Sequence, residues 1–357
     1  MPPPRVPSLS SARAVRSATA SRGATPSGRA TSYDVAVAAG VSQPTVSRCF
    51  APESHISEKT RAHVLAVAEQ LGYTPNVLAR SLITRQSHAV GLVITRYTML
   101  ATPGLLHALG DELARAHKRL ILLAVENDED AGAALNDIRG YPLDGLISCA
   151  TLDDASLLHF KRHGVPLLFF NRAPGKVGAD SVSTHHAEGA AQLATALLAA
   201  GYQRFLCIGG PKKAPVSVER MKGFTATLAQ AGMAPQMVVH TDFTYQGGHD
   251  AFLAAVQQGA KPDCVWCAND AMALGVIDAC RWELGWQVPQ DVAVAGFDDV
   301  AEASRSGYRL TTVRQPIGEM AARAVALLLE RAQEPSLKPR AIAFDGNLVE
   351  RASAALG

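Results

Sequence analysis

The chain has 357 residues, of which 34 are Lys or Arg and 32 are Asp or Glu, and 48% of its residues are hydrophobic. That composition is sufficient for two or three domains with apolar cores. No apolar run reaches the roughly 18 residues that span a bilayer, residues 1–30 lack the apolar centre of a secretory signal, and six cysteines in this length do not form a disulfide framework. We therefore expect a protein of the reducing cytoplasm.

The charge is unevenly distributed along the chain. Residues 1–86 carry 10 basic and 4 acidic side chains, for a net charge of +6, whereas the remainder carries 24 basic and 28 acidic side chains, for a net charge of −4. A basic segment attached to an acidic body indicates a polyanionic partner at one end only.

Residues 1–30 are rich in Pro, Ser, Ala and Arg and contain no acid. Such a composition buries little surface, so we predict a disordered tail. Its five arginines favour nonspecific attraction to DNA. The alternative is a dispensable extension, or a start codon assigned too early.

Residues 31–50 predict two short helices joined by a turn. The stretch "TSYDVAVAAG" ends in Gly40, because the turn needs a residue in the left-handed conformation. Ser42 is a suitable N-cap for the second helix, and Pro44 falls in its first turn, where a missing amide costs little. Two short helices with a Gly-containing turn form a helix-turn-helix. The residues expected to pack between the helices are Val35, Ala36, Ala39, Val41, Val46 and Cys49.

The outward face of the second helix carries side chains of the types that read DNA. Gln, Ser, Thr and Arg contact base edges and phosphates in the major groove. The alternative is a polar outer face on two packed helices, and this stretch alone does not decide between them. The candidate DNA-binding residues of this helix are Ser42, Gln43, Pro44, Thr45, Ser47 and Arg48.

A third helix is predicted over "EKTRAHVLAVAEQLG", capped by Ser57 and ended by Gly72. After Pro75, the segment 76–82 is long enough for only two helical turns and is too short to be stable alone. A conditionally folded segment between a basic head and a large body is typical of a hinge. The apolar stripe expected on the third helix is Val64, Leu65, Ala68 and Leu71.

The stretches "SYDVAVAAGVSQPTVSRCF", "ISEKTRAHVLAVAEQLGYTPNVLARSL" and "VGLVI" resemble the lactose and galactose repressor family of bacterial transcription regulators. The resemblance is dense there and continues, more weakly, to the C-terminus. It implies a three-helix helix-turn-helix DNA-binding domain at 31–74, a hinge helix and linker at 75–87, and a ligand-binding and dimerisation body at 88–357.

In that family the hinge helices of two subunits pair over the operator centre and insert a leucine into the minor groove. The resemblance implies that Leu82 of "ARSL" is this wedge, with Ala79 lining the helix pair. Asn76 and Arg80, in the matching "PN" and "ARSL" stretches, join the expected DNA-binding surface. The alternative for Leu82 is a core position.

Within the recognition helix, the resemblance places the family's variable base-reading positions on Gln43 and Pro44. It matches Arg48 to the family's arginine in "TVSR". Pro44 has no side-chain donor, so readout at that position must use apolar contact or DNA shape.

The body predicts two lobes of doubly wound parallel sheet. Apolar runs such as "AVGLVI", "LILLAV", "PLLFF", "RFLCIGG" and "VAVAGFD" alternate with helical stretches, which is the rhythm of buried parallel strands. The number of repeats exceeds one comfortable open sheet. The resemblance likewise implies a periplasmic-binding-protein-like body, with lobes joined by three crossovers that we place near residues 185, 312 and 338.

Ligands of open parallel sheets bind beyond the carboxyl ends of the strands. Carboxylates, amides and an arginine beside an aromatic platform suit a polyhydroxylated ligand. The alternative is that these are ordinary polar loops. The strand ends supply Asn171, Phe243, Asn269 and Asp298, and the match of "SVERMKGF" to the family's ligand arginine adds Arg220.

After the first strand this chain reads "TRYTMLATPG", whereas many members of the family have Asp and then Asn-Pro with two aromatics. We expect Arg96, Tyr97 and Thr98 to line the first lobe's side of the pocket. Arg96 would favour an anionic ligand such as a sugar acid or sugar phosphate, or else pair with a local acid.

Other motifs carry less weight. "CVWC" has redox or zinc spacing, but lies in an apolar strand without a second ligand pair. The adjacent His185 and His186 begin a helix and point in different directions, so they are not expected to share a metal ion. We expect a helix-start or pocket-edge position instead. "IGGPKKAP" lacks the spacing of a nucleotide-binding P-loop. We predict no metal and no cofactor.

These features predict a ligand-responsive transcription regulator that binds a near-palindromic operator as a dimer. The family favours repression, and ligand-controlled or dual activation is the alternative. A stand-alone sugar-binding protein fits poorly with a DNA-reading head, and an enzyme such as a sugar kinase or dehydrogenase fits poorly without a G-x-G-x-x-G or P-loop motif. The segment after Leu348 lacks heptads, so we expect a dimer rather than a coiled-coil tetramer.

Overall fold

The computed structural model describes residues 30–50, 55–74, 86–172, 174 and 178–356. The chain divides into two compact units, Met1–Arg80 and Ser81–Gly357. The predicted tail and hinge lie outside the described residues, and so do Asn76, Ala79, Arg80 and Leu82. The domain boundaries and the hinge therefore stay predictions.

The head contains helices α1 (Ser32–Ala38), α2 (Gln43–Cys49) and α3 (Glu58–Gln70). Each begins at a side-chain cap, because Thr31, Ser42 and Ser57 accept hydrogen bonds from the otherwise unpaired first amides. The buried residues are Val35, Ala36, Ala39, Val46, Cys49, Val64 and Ala68, with Val41 partly buried against them. The predicted packing between the first two helices is thus present.

Gly40 lies in the turn between α1 and α2 with φ of +64°. A Cβ added there would meet nothing within 4 Å, so the backbone conformation rather than space requires glycine.

The predicted stripe on α3 is wrong in two of its four positions. Val64 and Ala68 are buried, but Leu65 and Leu71 are 39% and 41% exposed. The two neighbouring helices cover only one narrow row of α3, and Leu65 lies one residue further round the helix. Leu71 follows the last helical residue and caps the helix instead.

The body contains two parallel sheets. The six-stranded sheet of lobe 1 has the order β11-β5-β4-β3-β1-β2, and the four-stranded sheet of lobe 2 has the order β7-β6-β8-β9. Lobe 1 contains β1 (Ala89–Thr95), β2 (Arg119–Val125), β3 (Gly145–Ser148), β4 (Leu167–Phe170), β5 (Asp180–Thr184) and β11 (Ala341–Phe344). Lobe 2 contains β6 (Phe205–Gly209), β7 (Met237–His240), β8 (Cys264–Cys267), β9 (Ala293–Ala295) and the antiparallel pair β10 (Thr312–Arg314) and β12 (Asn347–Val349).

Helices connect these strands and cover the sheets. In lobe 1 they are α4 (Arg96–Ala101), α5 (Pro103–Arg115), α6 (Ala131–Asp137), α7 (Asp154–Arg162) and α12 (Ile317–Gln333). In lobe 2 they are α8 (His186–Ala199), α9 (Pro215–Gln230), α10 (Tyr245–Gln257) and α11 (Asp270–Asp278). Central strands such as β3, β6 and β8 are buried along their whole length, which explains their unbroken apolar sequence.

The chain passes between the lobes three times. The first passage follows Thr184, and the second lies between β10 of lobe 2 and α12, which packs on β3, β4 and β5 of lobe 1. The third passage separates β11, paired with β5, from β12, paired with β10, and so lies at residues 345–346. The prediction near 338 is wrong, because "AIAF" is a short, half-exposed edge strand that adds one more βα unit to lobe 1 before the chain leaves it.

The core of lobe 2 is centred on two stacked aromatic rings. Phe224 and Trp266 lie 4.3 Å apart between centroids, at 12° to each other. Helices α8 and α9 pack closely at Gly223, where an added Cβ would lie 2.0 Å from the carbonyl oxygen of Ala187. This close packing holds α9, and with it Arg220, against the sheet. Among the described helices, none is both long enough and apolar enough to cross a membrane.

Candidate functional site

A cleft of about 60 Å³ lies where the carboxyl ends of strands from the two lobes face each other. Lobe 1 contributes residues that follow β1, β3 and β4, and lobe 2 contributes residues of α9 and residues that follow β7, β8 and β9. The polar and aromatic residues that line it are Tyr97, Thr98, Asn171, Arg172, Arg220, Phe243, Asn269, Asp298 and Gln315. Seven of the eight residues expected from the sequence to line a ligand pocket are among them, and the eighth, Arg96, is not.

Arg220 and Asp298 form a buried ion pair in the lobe 2 wall. The guanidinium donates to the Asp298 carboxylate over 2.7 Å, and their side chains are 3% and 6% exposed. It also donates to the Ala268 carbonyl over 2.6 Å, donates to His186 Nδ1 over 3.3 Å, and lies 3.9 Å from the centroid of Phe297. Arg220 is therefore held on three sides, so its orientation is set before any ligand arrives.

His186 has the helix-start position, one of the two that were expected from the sequence. It begins α8 and is 2% exposed. Burial, with the adjacent Arg220 charge, holds its pKa well below 6.5, so the ring is neutral and its Nδ1 accepts from Arg220. His185 turns away and lies 2.7 Å from Asp345 at the third crossover.

Asp298 and Asp270 are neighbouring buried carboxyls. Burial raises the pKa of Asp298, although Arg220 and Gln315 stabilise its ionised form. Burial and the Asp298 charge raise the pKa of Asp270 to about 7. Asp270 accepts from Thr312 Oγ1 at 2.6 Å and from the Val300 amide at 2.9 Å, which ties three segments of lobe 2 together.

Asn269 and Phe243 are positioned by each other. Asn269 caps α11 through its Oδ1, and its Nδ2 donates to the Phe243 carbonyl over 2.9 Å. Phe243 has φ of +66°, and its ring stacks on that of Tyr97 with centroids 5.4 Å apart at 13°. The aromatic platform therefore contains one ring from each lobe.

Gln315 was missed in the sequence and joins the two lobes. Its Oε1 accepts from Asn171 Nδ2 at 2.9 Å and from Thr184 Oγ1 at 2.7 Å, while its Nε2 donates to Asp298 over 2.7 Å. The preceding strand "TVR" is too short and polar to suggest a strand end, so periodicity gave no signal. The only signal was a polar residue before Pro316 near a predicted crossover.

Arg172 lies in the polar pair that ends the strand "LLFF", although only Asn171 of that pair was predicted to bind the ligand. It is 7% exposed, donates to the Tyr97 hydroxyl over 2.8 Å and donates to the Asn171 carbonyl over 2.9 Å. Its Nε has no hydrogen-bond partner among the described residues, and the Asp128 carboxylate lies 4.0 Å away. Arg172 is therefore a buried cation in the lobe 1 wall with one N–H group that lacks a hydrogen-bond acceptor.

Arg96 does not line the cleft but pairs with a local acid, which was the alternative expected from the sequence. Its guanidinium pairs with Glu126 over 2.9 Å, with the two side chains 63% and 69% exposed. Arg96 is the first residue of α4, and its side chain leaves that helix toward the Glu126 that follows β2, whereas Tyr97 and Thr98 face the cleft. Arg96 therefore gives no reason to expect an anionic ligand.

The cysteines of "CVWC" lie within the fully buried strand β8. Burial raises the pKa of Cys264 and of Cys267 well above 9, so both remain neutral thiols that pack as small apolar side chains.

The predicted DNA-reading face of α2 is mixed. Ser42, Pro44, Ser47 and Arg48 are exposed, whereas Gln43 and Thr45 are half-buried. The Ser42 hydroxyl caps the Thr45 amide and lies 2.8 Å from the Thr45 hydroxyl. Gln43 Nε2 donates a hydrogen bond to Ser32 Oγ on α1 over 3.2 Å. The Gln43 side chain therefore links α2 to α1.

Comparison with known proteins matches both parts of the chain. Residues 31–76 match the lacI family of bacterial regulatory proteins, and residues 194–354 match a periplasmic binding protein-like domain. The chain is 32% identical over 330 residues to the ribose operon repressor of Escherichia coli K12, covering 91% of this chain and 100% of that protein. It is 30% identical to the transcriptional repressor PurR of Pasteurella multocida, covering 91% of this chain and 98% of that protein.

Solved structures agree over the same range. The lac repressor dimer bound to operator and the anti-inducer ONPF superposes with a TM-score of 0.80 at 27% identity, covering 91% of this chain and 99% of that chain. The complex of the transcriptional regulator CelR with cellobiose superposes with a TM-score of 0.68 at 28% identity, covering 91% of this chain and 100% of that chain.

Proposed function

This chain belongs to the lacI family of bacterial regulatory proteins, and on that premise we propose that its effector is a small polyhydroxylated molecule bound between the lobes. The protein is a DNA-binding transcriptional repressor that responds to a small molecule, and not an enzyme. It acts as a dimer on operator DNA.

One observation carries the choice of effector: the paired Arg220 and Asp298 lie beside the amides of Asn269 and Gln315 in one cleft. Sugar hydroxyls both donate and accept, so they suit a site in which carboxylate, amide and guanidinium groups are already oriented. The stacked rings of Tyr97 and Phe243 supply an apolar face for the C–H surface of a sugar ring. A monosaccharide-sized polyol fits this set of side chains.

Arg172 favours a second candidate, a sugar acid. The charged residues that line the cleft are Arg172, Arg220 and Asp298, and the Arg220 charge is matched by Asp298. Arg172 is buried, and its Nε has no hydrogen-bond partner among the described residues, with the Asp128 carboxylate 4.0 Å away. An effector carboxylate would supply the missing acceptor.

Gln315 supports a route from effector to DNA. Its side chain joins Asn171 and Thr184 of lobe 1 to Asp298 of lobe 2. An effector that hydrogen-bonds Asp298 competes with Gln315 for the same carboxylate, so the relative position of the lobes depends on occupancy. A ligand shifts this equilibrium only through such differential contacts.

At the other end of the chain, α2 is the proposed reading helix in the major groove. Ser47 and Arg48 are its exposed polar residues after the first turn, and Pro44 offers apolar contact only. The hinge wedge Leu82 follows from the family resemblance. Because its partner is DNA, we place the protein in the cytoplasm.

Two measurements test the function. A gel shift with the DNA upstream of the protein's own gene should give a retarded band at moderate salt, and its absence would contradict DNA-binding regulation. Thermal shift with d-ribose, d-glucose, d-gluconate and ribose 5-phosphate should identify the effector class. Arg172→Met should weaken an acidic hit more than a neutral one, because only the acid uses the Arg172 charge; a matched loss for both would remove the sugar acid candidate.

A further inference from the structure

Lobe 1 contains a second cavity of about 240 Å³, larger than the cleft between the lobes. It lies at the amino ends of β4 and β5, whereas the cleft lies at the carboxyl ends. Its walls come from the end of α7, the starts of β4 and β5, and the segment between α12 and β11. The lining residues that bear on its chemistry are Leu157, Lys161, Val165, Pro174, Ala179 and Arg331.

The lining is apolar with a cationic edge. Its only charged residues among those described are Lys161 and Arg331, and no acid lines it. Arg331 donates two hydrogen bonds to the carboxylate of the buried Asp180, from Nε over 3.0 Å and from Nη2 over 2.9 Å. Lys161 is exposed and forms no ion pair with any carboxylate of the described residues.

The dimensions and the charge select a class of ligand. An apolar cavity of roughly 150 Å³ is large enough to bind benzene, so this cavity accepts one ring with a substituent. A carboxylate at the cavity mouth would face the Lys161 ammonium, while the ring replaced water against leucine, valine and proline. Sugars suit it poorly, because the apolar walls leave most hydroxyls unpaired.

We propose that this cavity is a second small-molecule site, which binds a compact apolar carboxylate such as an aromatic acid. The site is separate from the effector cleft and goes beyond the proposed function. The two sites share a stretch of backbone, because Arg172 in the cleft and Pro174 in the cavity are two residues apart.

Isothermal titration of the full chain with benzoate tests the proposal. The wild-type protein should bind benzoate, and Lys161→Glu should weaken binding at least about tenfold, because it replaces an attraction by a repulsion. Arg162→Glu is the matched control, since it makes the same charge change one residue further along α7 without lining the cavity. No binding by the wild type, or an equal loss in both variants, would overturn the proposal.

A second pair of variants locates the ligand. Ala179→Leu should fill the cavity and abolish benzoate binding, and circular dichroism checks that the variant is folded. If it does not fold, the comparison of Lys161→Glu with Arg162→Glu tests the proposal. Asn171→Ala, in the cleft, should leave benzoate affinity unchanged. Loss of benzoate binding in Asn171→Ala would assign the ligand to the cleft, and so refute a second site without affecting the proposed function.

Discussion

Gln315 and Asp298 lie 2.7 Å apart, and this hydrogen bond joins the second crossover to the wall of the cleft. The same glutamine accepts from Asn171 of lobe 1 at 2.9 Å. One neutral side chain at the crossover therefore contacts both lobes and the carboxylate proposed to bind the effector. Gln315 therefore joins the two lobes at the wall of the cleft, in addition to the stacked rings of Tyr97 and Phe243.

Replacing Gln315 by Met should uncouple the effector from DNA. The change keeps the side-chain length but removes three hydrogen bonds, and it should lower the free energy of unfolding by about 1–3 kcal/mol because buried polar groups lose partners. The ratio of operator affinities with and without effector, measured by fluorescence anisotropy, should approach one. Gln257→Met, on the exposed end of α10, is the control and should keep the wild-type ratio.

The Arg220–Asp298 pair should behave as a unit in a double-mutant cycle. Arg220→Met alone leaves the buried Asp298 carboxylate without its cation and should cost about 3–5 kcal/mol of stability. Adding Asp298→Asn should recover part of that loss, because the remaining group is neutral. Chemical denaturation of the four proteins measures the coupling energy, and additive losses would show that the two residues do not interact.

The stability of lobe 2 should fall as the pH rises from about 4 to 7. Asp270 has a pKa raised from 3.8 to about 7 in the folded protein, so the folded state binds more protons than the unfolded chain within that window. Its contribution is complete below pH 4 and lost by the time the pH passes 7. Asp298, whose pKa is also raised, acts in the same direction.

Asp270→Asn should flatten this dependence, because the substituted residue no longer titrates. Urea denaturation at pH 4.5 and pH 7 measures the difference for wild type and variant. An unchanged difference in Asp270→Asn would mean that other groups produce the slope.

Leu82→Ala should weaken specific operator binding more than nonspecific binding. A leucine wedge contributes only where the DNA is kinked to receive it, whereas nonspecific binding rests on phosphate contacts. Anisotropy with operator and with random duplex of the same length gives both affinities. Leu71→Ala, an exposed leucine at the end of α3, is the control; equal losses on both duplexes in Leu82→Ala would remove the wedge.

Local features of this chain were readable from the sequence because they depend on neighbouring residues. The caps at Ser42 and Ser57 follow from hydroxyls placed before helical runs, and Gly40 follows from a turn that needs positive φ. The strand ends at Asn171, Asn269 and Asp298 follow from apolar runs that stop at polar residues. Unbroken apolar strands also predicted parallel sheets covered on both faces.

Tertiary structure decided what depends on residues far apart in the chain. Arg96 turned out to pair with Glu126, 30 residues later, and Gln315 bonds to Asn171 across 144 residues. Leu65 and Leu71 are exposed because only part of α3 is covered, and "AIAF" joins lobe 1 because β5 leaves an open edge for it. The sequence by itself determined the helix caps, the strands and the two-lobed plan through local chemistry, whereas which side chains meet in the cleft depended on the packing of the whole body.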